Sequence, residues 1–262
     1  MSIYQATRLA IVVILFVAGP ASSAPEYDRG DALEQSRSAI GHVVANQTLR
    51  GADGQAFELA SLRGKPLVVS MIYTSCHHVC PMITQNLAKA VDIAREALGD
   101  DSFAVITVGF DWAVDTPERM RLYAAERRID VPGWYFLAGD ESSIGGLSSD
   151  LGFQFYPSAK GFDHLTQTSV LGADGAVYRQ IYGVDLEPQL LVEPLKELIF
   201  ATPRDAGLVE HWVDTFKLFC TVYDPNSGRY RFDYSIAMTI FVGVLCLGAI
   251  ATFLLREWRR AR

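Results

Sequence analysis

Residues 64–98, GKPLVVSMIYTSCHHVCPMITQNLAKAVDIAREAL, constrain this chain more than any other stretch. The run from Leu67 to Tyr73, apolar except for Ser70, reads as a buried strand. After Pro81, the apolar residues Met82, Leu87, Val91, Ala94 and Leu98 recur at helical spacing. Proline suits the first turn of a helix, whose amides have no partner within the helix. Between strand and helix lie two cysteines with three residues between them, Cys76 and Cys80. A buried strand feeding a helix through a short thiol-bearing turn must be followed by more strands to cover it. Residues 102–110 (SFAVITVGF) and 134–139 (WYFLAG) supply two. Residues 116–128 read as a helix that opens with a Thr116 cap, Pro117 and Glu118. Residues 141–152 read as a short helix weakened by glycine, residues 167–183 as a β-hairpin turning at Ala173, Asp174 and Gly175, and residues 187–200 as a last helix. The order β-α-β-α-β-α-β-β-α, with the cysteines where the first main strand meets its helix, predicts an α/β fold of thioredoxin-like plan: a central mixed sheet flanked by helices.

The two ends fix the compartment. Residues 1–24 have Arg8, an apolar run from Leu9 to Ala18 and small residues up to Ser22, Ser23 and Ala24, the layout of a secretory signal peptide. Tyr234 to Leu255 carries no charge and, at about 1.5 Å per residue, reaches about 33 Å, enough to cross a bilayer core. Arg256, Arg259, Arg260 and Arg262 follow, opposed only by Glu257, and place residues 256–262 in the cytoplasm. The expected arrangement is a single-pass protein of a bacterial inner membrane, with residues 25–200 forming a periplasmic domain. Residues 201–233 would form a juxtamembrane segment in which Val209, Trp212, Val213, Phe216 and Phe219 line one side of an amphipathic helix. Setting aside Arg8 and the charged tail leaves 18 basic against 29 acidic side chains, a net charge near −11. That balance argues against nucleic acid as a partner.

In an exported domain, two cysteines four apart make a poor structural staple because the loop they close is so short. They read instead as a reactive or metal-binding pair. Helix N-terminal amides favour thiolate, and i,i+4 positions at a helix mouth let two sulfurs converge. Soft thiolates select copper(I), zinc or an iron–sulfur cluster. A cluster takes four cysteines, and Cys220 and Cys246 are badly placed to help. Structural zinc takes four ligands. Copper(I) is satisfied by two sulfurs and one nitrogen, and imidazole also tolerates copper(II). Of five histidines, His42 precedes the core and His211 belongs to the membrane-proximal segment. His164, in a polar loop running into the strand at 167, is the preferred third ligand. A loop histidine bonded to backbone is the plain alternative. His77 and His78 remain open as ligands, although adjacent side chains point apart.

Three segments, YTSCHHVCPMITQNL, VGFDWAVDTPERM and FDHLTQTSVLGADG, resemble the signature segments of the Sco/SenC family. These are a Cys-x-x-x-Cys-Pro, an Asp-x-x-x-Asp-Thr-Pro-Glu, and an Asp-His leading into a strand and a turn ending Asp-Gly. The resemblance covers most of residues 40–200. It implies a thioredoxin-like fold, copper held by Cys76, Cys80 and His164, and Asp111 as an acid near the site. It further implies a metallochaperone that inserts copper into the dinuclear centre of cytochrome c oxidase, carried by subunit II, and that reduces the cysteines there. A thiol reductant protein would be a further partner. His77 and His78 stand where many members carry Pro-Asp or Pro-Thr. The evident anchor is C-terminal rather than N-terminal, so the chain resembles a divergent branch. The alternative to a non-enzymatic chaperone is a thiol–disulfide oxidoreductase in which Cys76 attacks and Cys80 resolves.

Overall fold

The computed structural model describes residues 27–201, 221–224, 229–232 and 235–260. The signal segment, the 207–220 amphipathic stretch with His211 and Cys220, and Arg262 lie outside the described residues.

The domain opens with α1 (Arg29–Ser38), an edge hairpin of β1 (Thr48–Gly51) and β2 (Ala56–Glu58), and one 3-10 turn, Leu59–Leu62. Next come β3 (Leu67–Ile72), α2 (Val79–Leu98), β4 (Ala104–Gly109), α3 (Pro117–Glu126), β5 (Trp134–Ala138) and α4 (Glu141–Asp150). A small hairpin of β6 (Phe155–Ser158) and β7 (Gly161–His164) precedes the larger hairpin of β8 (Gln167–Leu171) and β9 (Val177–Tyr182). Helix α5 (Pro188–Ala201) follows. Beyond it are a third hairpin, β10 (Thr221–Asp224) and β11 (Arg229–Phe232), and the long α6 (Ser235–Arg260).

Seven strands form one mixed sheet in the order β2-β1-β5-β4-β3-β8-β9. β3, β4 and β5 run parallel, and β8 lies antiparallel to β3. Every residue of β3 and β4 is buried, as expected for central parallel strands covered on both faces. Of the helical-spaced residues, Leu87, Val91 and Ala94 are buried along α2, with Ile83 and Ala90 beside them, whereas Met82 on the first turn is exposed and Leu98 only partly buried. α3 begins as its sequence dictates, with the Thr116 hydroxyl accepting from the Arg119 amide and Pro117 opening the helix.

This topology brings three loops together. Ile72 pairs in register with Gly109, so the chain leaves β3 and β4 side by side, at Tyr73 and at Phe110. Ser70 pairs with Thr168, so the start of β8 lies beside the end of β3. The carboxyl ends of parallel strands are where open α/β sheets bind ligands. Away from the domain, α6 contains a window, Phe241–Arg260, long and apolar enough to cross a membrane, with a mean hydropathy of 1.6. Its described side chains are exposed.

Candidate functional site

The cysteine turn departs from the helical geometry its spacing suggests. α2 begins at Val79 with His78 as its N-cap, so Cys76 precedes the helix and only Cys80 is helical. The sulfurs therefore converge through the turn, not along a helix face. His78 offers no side-chain cap. The Cys76 sulfur takes that role, accepting from the Cys80 amide at 3.3 Å, and so meets one of the orphan donors of the helix start. Burial alone pushes the Cys76 thiol up. Hydrogen bonds from the Cys80 and His78 amides, then from the Cys80 and Tyr73 side chains, outweigh it and leave Cys76 below its ordinary value. Cys80 is fully buried, and burial drives its thiol far above the ordinary range. The Tyr73 backbone opposes that shift, and the Cys76 and Asp115 charges add to it. One thiol is thus half-exposed and primed, the other buried and protonated. His77 and His78 are exposed beside them.

His164 is not in a loop. It ends β7, paired with Phe155, because residues 155–164 fold back as a hairpin around Ala159 and Lys160. The sequence concealed this hairpin: its strands are four residues each and only partly buried, so they show no alternation of apolar and polar residues. The His164 ring packs against Phe110, Phe153 and Tyr73, with centroids 5.3, 5.5 and 6.1 Å away. Its Nδ1 lies 2.8 Å from the Leu165 carbonyl oxygen. Nδ1 is therefore the protonated nitrogen and Nε2 carries the free lone pair, the form that ligates a metal. Burial lowers the His164 pKa, partly countered by the Leu165 carbonyl and Asp163, so the ring is neutral at neutral pH.

Tyr73 stands between the thiols and the imidazole. Burial, followed by the Cys76 thiol, which hydrogen-bonds its hydroxyl, raises its pKa to about 12, while the Phe162 backbone opposes the shift. Gly161 must be glycine there: its φ is +115°, and a Cβ would lie 2.7 Å from the Tyr73 hydroxyl. Among the described residues, no three His, Cys, Asp or Glu side chains stand close enough together to hold a metal ion. The thiol pair and His164 share one aromatic cage without closing on a common point.

Asp111 sits in the loop after β4, and burial raises its pKa against the pull of Arg119. The carboxylate that reaches the cysteine loop is Asp115, only 1% exposed. It accepts from the Thr74 amide at 2.9 Å, the Thr74 hydroxyl at 2.6 Å and the Asp111 amide at 3.0 Å. Asp115 thus ties the loop after β4 to the residue two before Cys76. Gly109 makes room for it, since a Cβ there would lie 2.5 Å from the Asp115 Cβ. Sequence reasoning missed this role although Asp115 is the second aspartate of the Asp-x-x-x-Asp-Thr-Pro-Glu segment.

The SCO1/SenC family profile matches residues 35–199. The SCO1 protein homolog of Bacillus subtilis is 24% identical over 160 residues, 59% of this chain and 81% of that protein. A crystal structure from Aquifex aeolicus VF5 is 30% identical with a TM-score of 0.56, covering 66% of this chain and 98% of that one. Bradyrhizobium japonicum ScoI with copper bound is 22% identical with a TM-score of 0.50, covering 60% and 99%, and shares the fold. With a profile spanning more than half its length and the thioredoxin-like arrangement of its sheet, the chain belongs to the SCO1/SenC family.

Proposed function

We propose that this protein is a membrane-anchored copper carrier. It holds one copper ion through Cys76, Cys80 and the Nε2 of His164, and delivers it on the periplasmic side of a bacterial inner membrane to the dinuclear copper centre of cytochrome c oxidase. The observation that carries this reading is the donor chemistry: two sulfurs in one turn, and an imidazole at the same end of the sheet whose Nδ1 is already engaged by a carbonyl. Two soft sulfurs and one nitrogen suit copper(I), and the imidazole accommodates copper(II). The family is one of cytochrome c oxidase assembly proteins, which supports the oxidase, through its subunit II, as acceptor. Asp115 positions the loop through Thr74, and Asp111 serves as an acid at the rim. The apolar window of α6 supports the anchor.

The test is copper(I) loading of the full chain in detergent under reductant. About one copper per chain is expected, with none in Cys76→Ser or Cys80→Ser and weaker retention in His164→Ala. Wild-type stoichiometry in Cys76→Ser would overturn the ligand set.

A second reading is favoured by the asymmetry of the pair. A thiol held low beside one held high is the arrangement of an attacking and a resolving cysteine. The protein would then reduce the acceptor's cysteines, before loading them or instead of loading them.

A further inference from the structure

Cys76 has two sides. One faces Tyr73 and the aromatic cage. The other faces an open cleft of about 480 Å³ between the cysteine turn and α3, whose walls include Pro81, Arg119, Leu122, Glu126 and Arg127. The cleft has no part in holding copper in the reading above, yet it is the way by which another molecule reaches the half-exposed thiol.

Its chemistry is specific. Arg119 is exposed on the first turn of α3, and among the described residues its side chain makes no hydrogen bond or ion pair within 4 Å. Arg127 lies flat on the Tyr123 ring, its guanidinium carbon 3.4 Å from the centroid. One of its nitrogens is bonded to the Tyr123 carbonyl and to Glu126, while its buried Nε has no partner. Leu122 is 45% exposed, as are Met82 (51%) and Val79 (40%) on the first turn of α2. Arginine on an aromatic ring, an unpaired arginine beside it and an apolar rim are the composition of a protein-binding patch. The carboxylate in the wall, Glu126, is engaged with Arg127, and Asp111 feels the Arg119 charge without an ion pair to it, so the basic charge the cleft offers is that of Arg119, in a chain whose charge is −7 overall.

We propose that this cleft is the docking site for an acidic, cysteine-bearing segment of the acceptor protein, with Arg119 receiving its carboxylates and Cys76 meeting its sulfur. This rests on the reading of Cys76 as the outward-facing donor and names the partner chemistry of that same site. In a chain of net negative charge, the exposed Arg119 sets the orientation of such a segment. Where the segment arrives as a disulfide, the Cys76 thiolate attacks one of its sulfurs, and the other leaves as thiolate and takes a proton. Cys80 then attacks the Cys76 sulfur and releases the segment's second thiolate, which takes the Cys80 proton. The segment gains two electrons from the pair, one proton from solvent and one from Cys80, and Cys76 and Cys80 are left as a disulfide.

The experiment uses the reduced full chain in detergent at about physiological salt and two synthetic disulfide-closed peptides. Each has two cysteines separated by three residues, flanked in one peptide by aspartates and in the other by asparagines. The ratio of their reduction rates cancels any change in the reactivity of Cys76 itself. The aspartate peptide is expected to react about threefold faster, the range of one or two exposed ion pairs. Arg119→Gln should bring the ratio near one, and Arg119→Glu should invert it. An aspartate peptide no faster than its asparagine twin, or a ratio that Arg119→Glu leaves unchanged, would overturn the docking site. No metal takes part in these reactions. A chain that fails to load copper but keeps the preference would sink the copper reading and leave the cleft standing. A flat ratio in a chain that loads copper would do the reverse.

Discussion

The turn bearing the cysteines and the hairpin bearing His164 meet at Tyr73, but different forces hold them. Residues 73–80 grow from a fully buried central strand, are tied down by the Asp115 carboxylate through Thr74, and end in a helix whose first amides bond the Cys76 sulfur. The β6–β7 hairpin forms its own two-stranded sheet outside the seven-stranded one. Phe155 and Phe162 hold it in place by ring contacts with Phe110 at 4.7 and 5.3 Å. Backbone and charge-assisted hydrogen bonds fix direction, whereas aromatic contacts fix proximity with a softer angular preference. The thiols are thus tied to the sheet by directional bonds, and the imidazole is carried by an element held through aromatic contacts. A carrier that must take up and release an ion gains from one rigid donor set and one adjustable donor.

Removing Phe110 tests this contrast most severely. It is fully buried and contacts Tyr73, Phe153, Phe155, Phe162 and His164. Phe110→Ala should lower the unfolding free energy by about 3–5 kcal/mol, read by urea unfolding of the detergent-solubilised chain. If the hairpin depends on aromatic packing alone, limited proteolysis of this variant should cut first within residues 155–164. First cleavage within residues 73–80 would reverse the assignment of rigid and adjustable parts.

Asp115→Ala strikes the other side. It strips three hydrogen bonds from a buried carboxylate and leaves the Thr74 and Asp111 amides without that partner. A loss of about 2–4 kcal/mol is expected, together with faster alkylation of Cys80, which the native fold shields. Unchanged shielding would mean that β3 alone positions the turn. Gly161→Ala should cost less, about 1–2 kcal/mol, from the strained φ and the clash with the Tyr73 hydroxyl. It should weaken copper retention while leaving Cys76 alkylation close to wild type.

These two regions also differ in how plainly the sequence announced them. β3, α2, β4, α3, β5, the β8–β9 hairpin and α5 carry strong periodicity or turn chemistry and were legible, as were both cysteines. α1 was not, because Ala32 is the only apolar residue within it to be buried. The β6–β7 hairpin was not, because its stability comes from rings that come together only in the folded protein. Asp115 escaped notice for the same reason: that the second of two aspartates four apart turns inward is decided by Gly109 leaving room, a tertiary fact.

The smallest effect is the most selective. Burial holds the His164 pKa below its ordinary value of about 6.5. The unfolded chain therefore binds a proton at this site more readily than the folded one. Stability rises with pH wherever the unfolded state holds more protons, so the contribution of His164 is complete above about 6.5 and is lost as pH falls through that value toward the folded pKa. The urea midpoint should decline between pH 7.5 and 5.5, and part of that decline should vanish in His164→Gln, which cannot titrate. The protonated ring has no free Nε2, so copper retention should fall over the same interval. The Cys76 thiolate gives a contrary signature: its alkylation should rise with pH, with a midpoint below that of an ordinary thiol. An acid-sensitive hairpin beside a thiol turn that responds to base would show the two regions titrating independently. If His164→Gln kept the whole pH slope of the wild type, the acid-sensitive group would lie elsewhere, and the hairpin would be no more adjustable than the turn it faces.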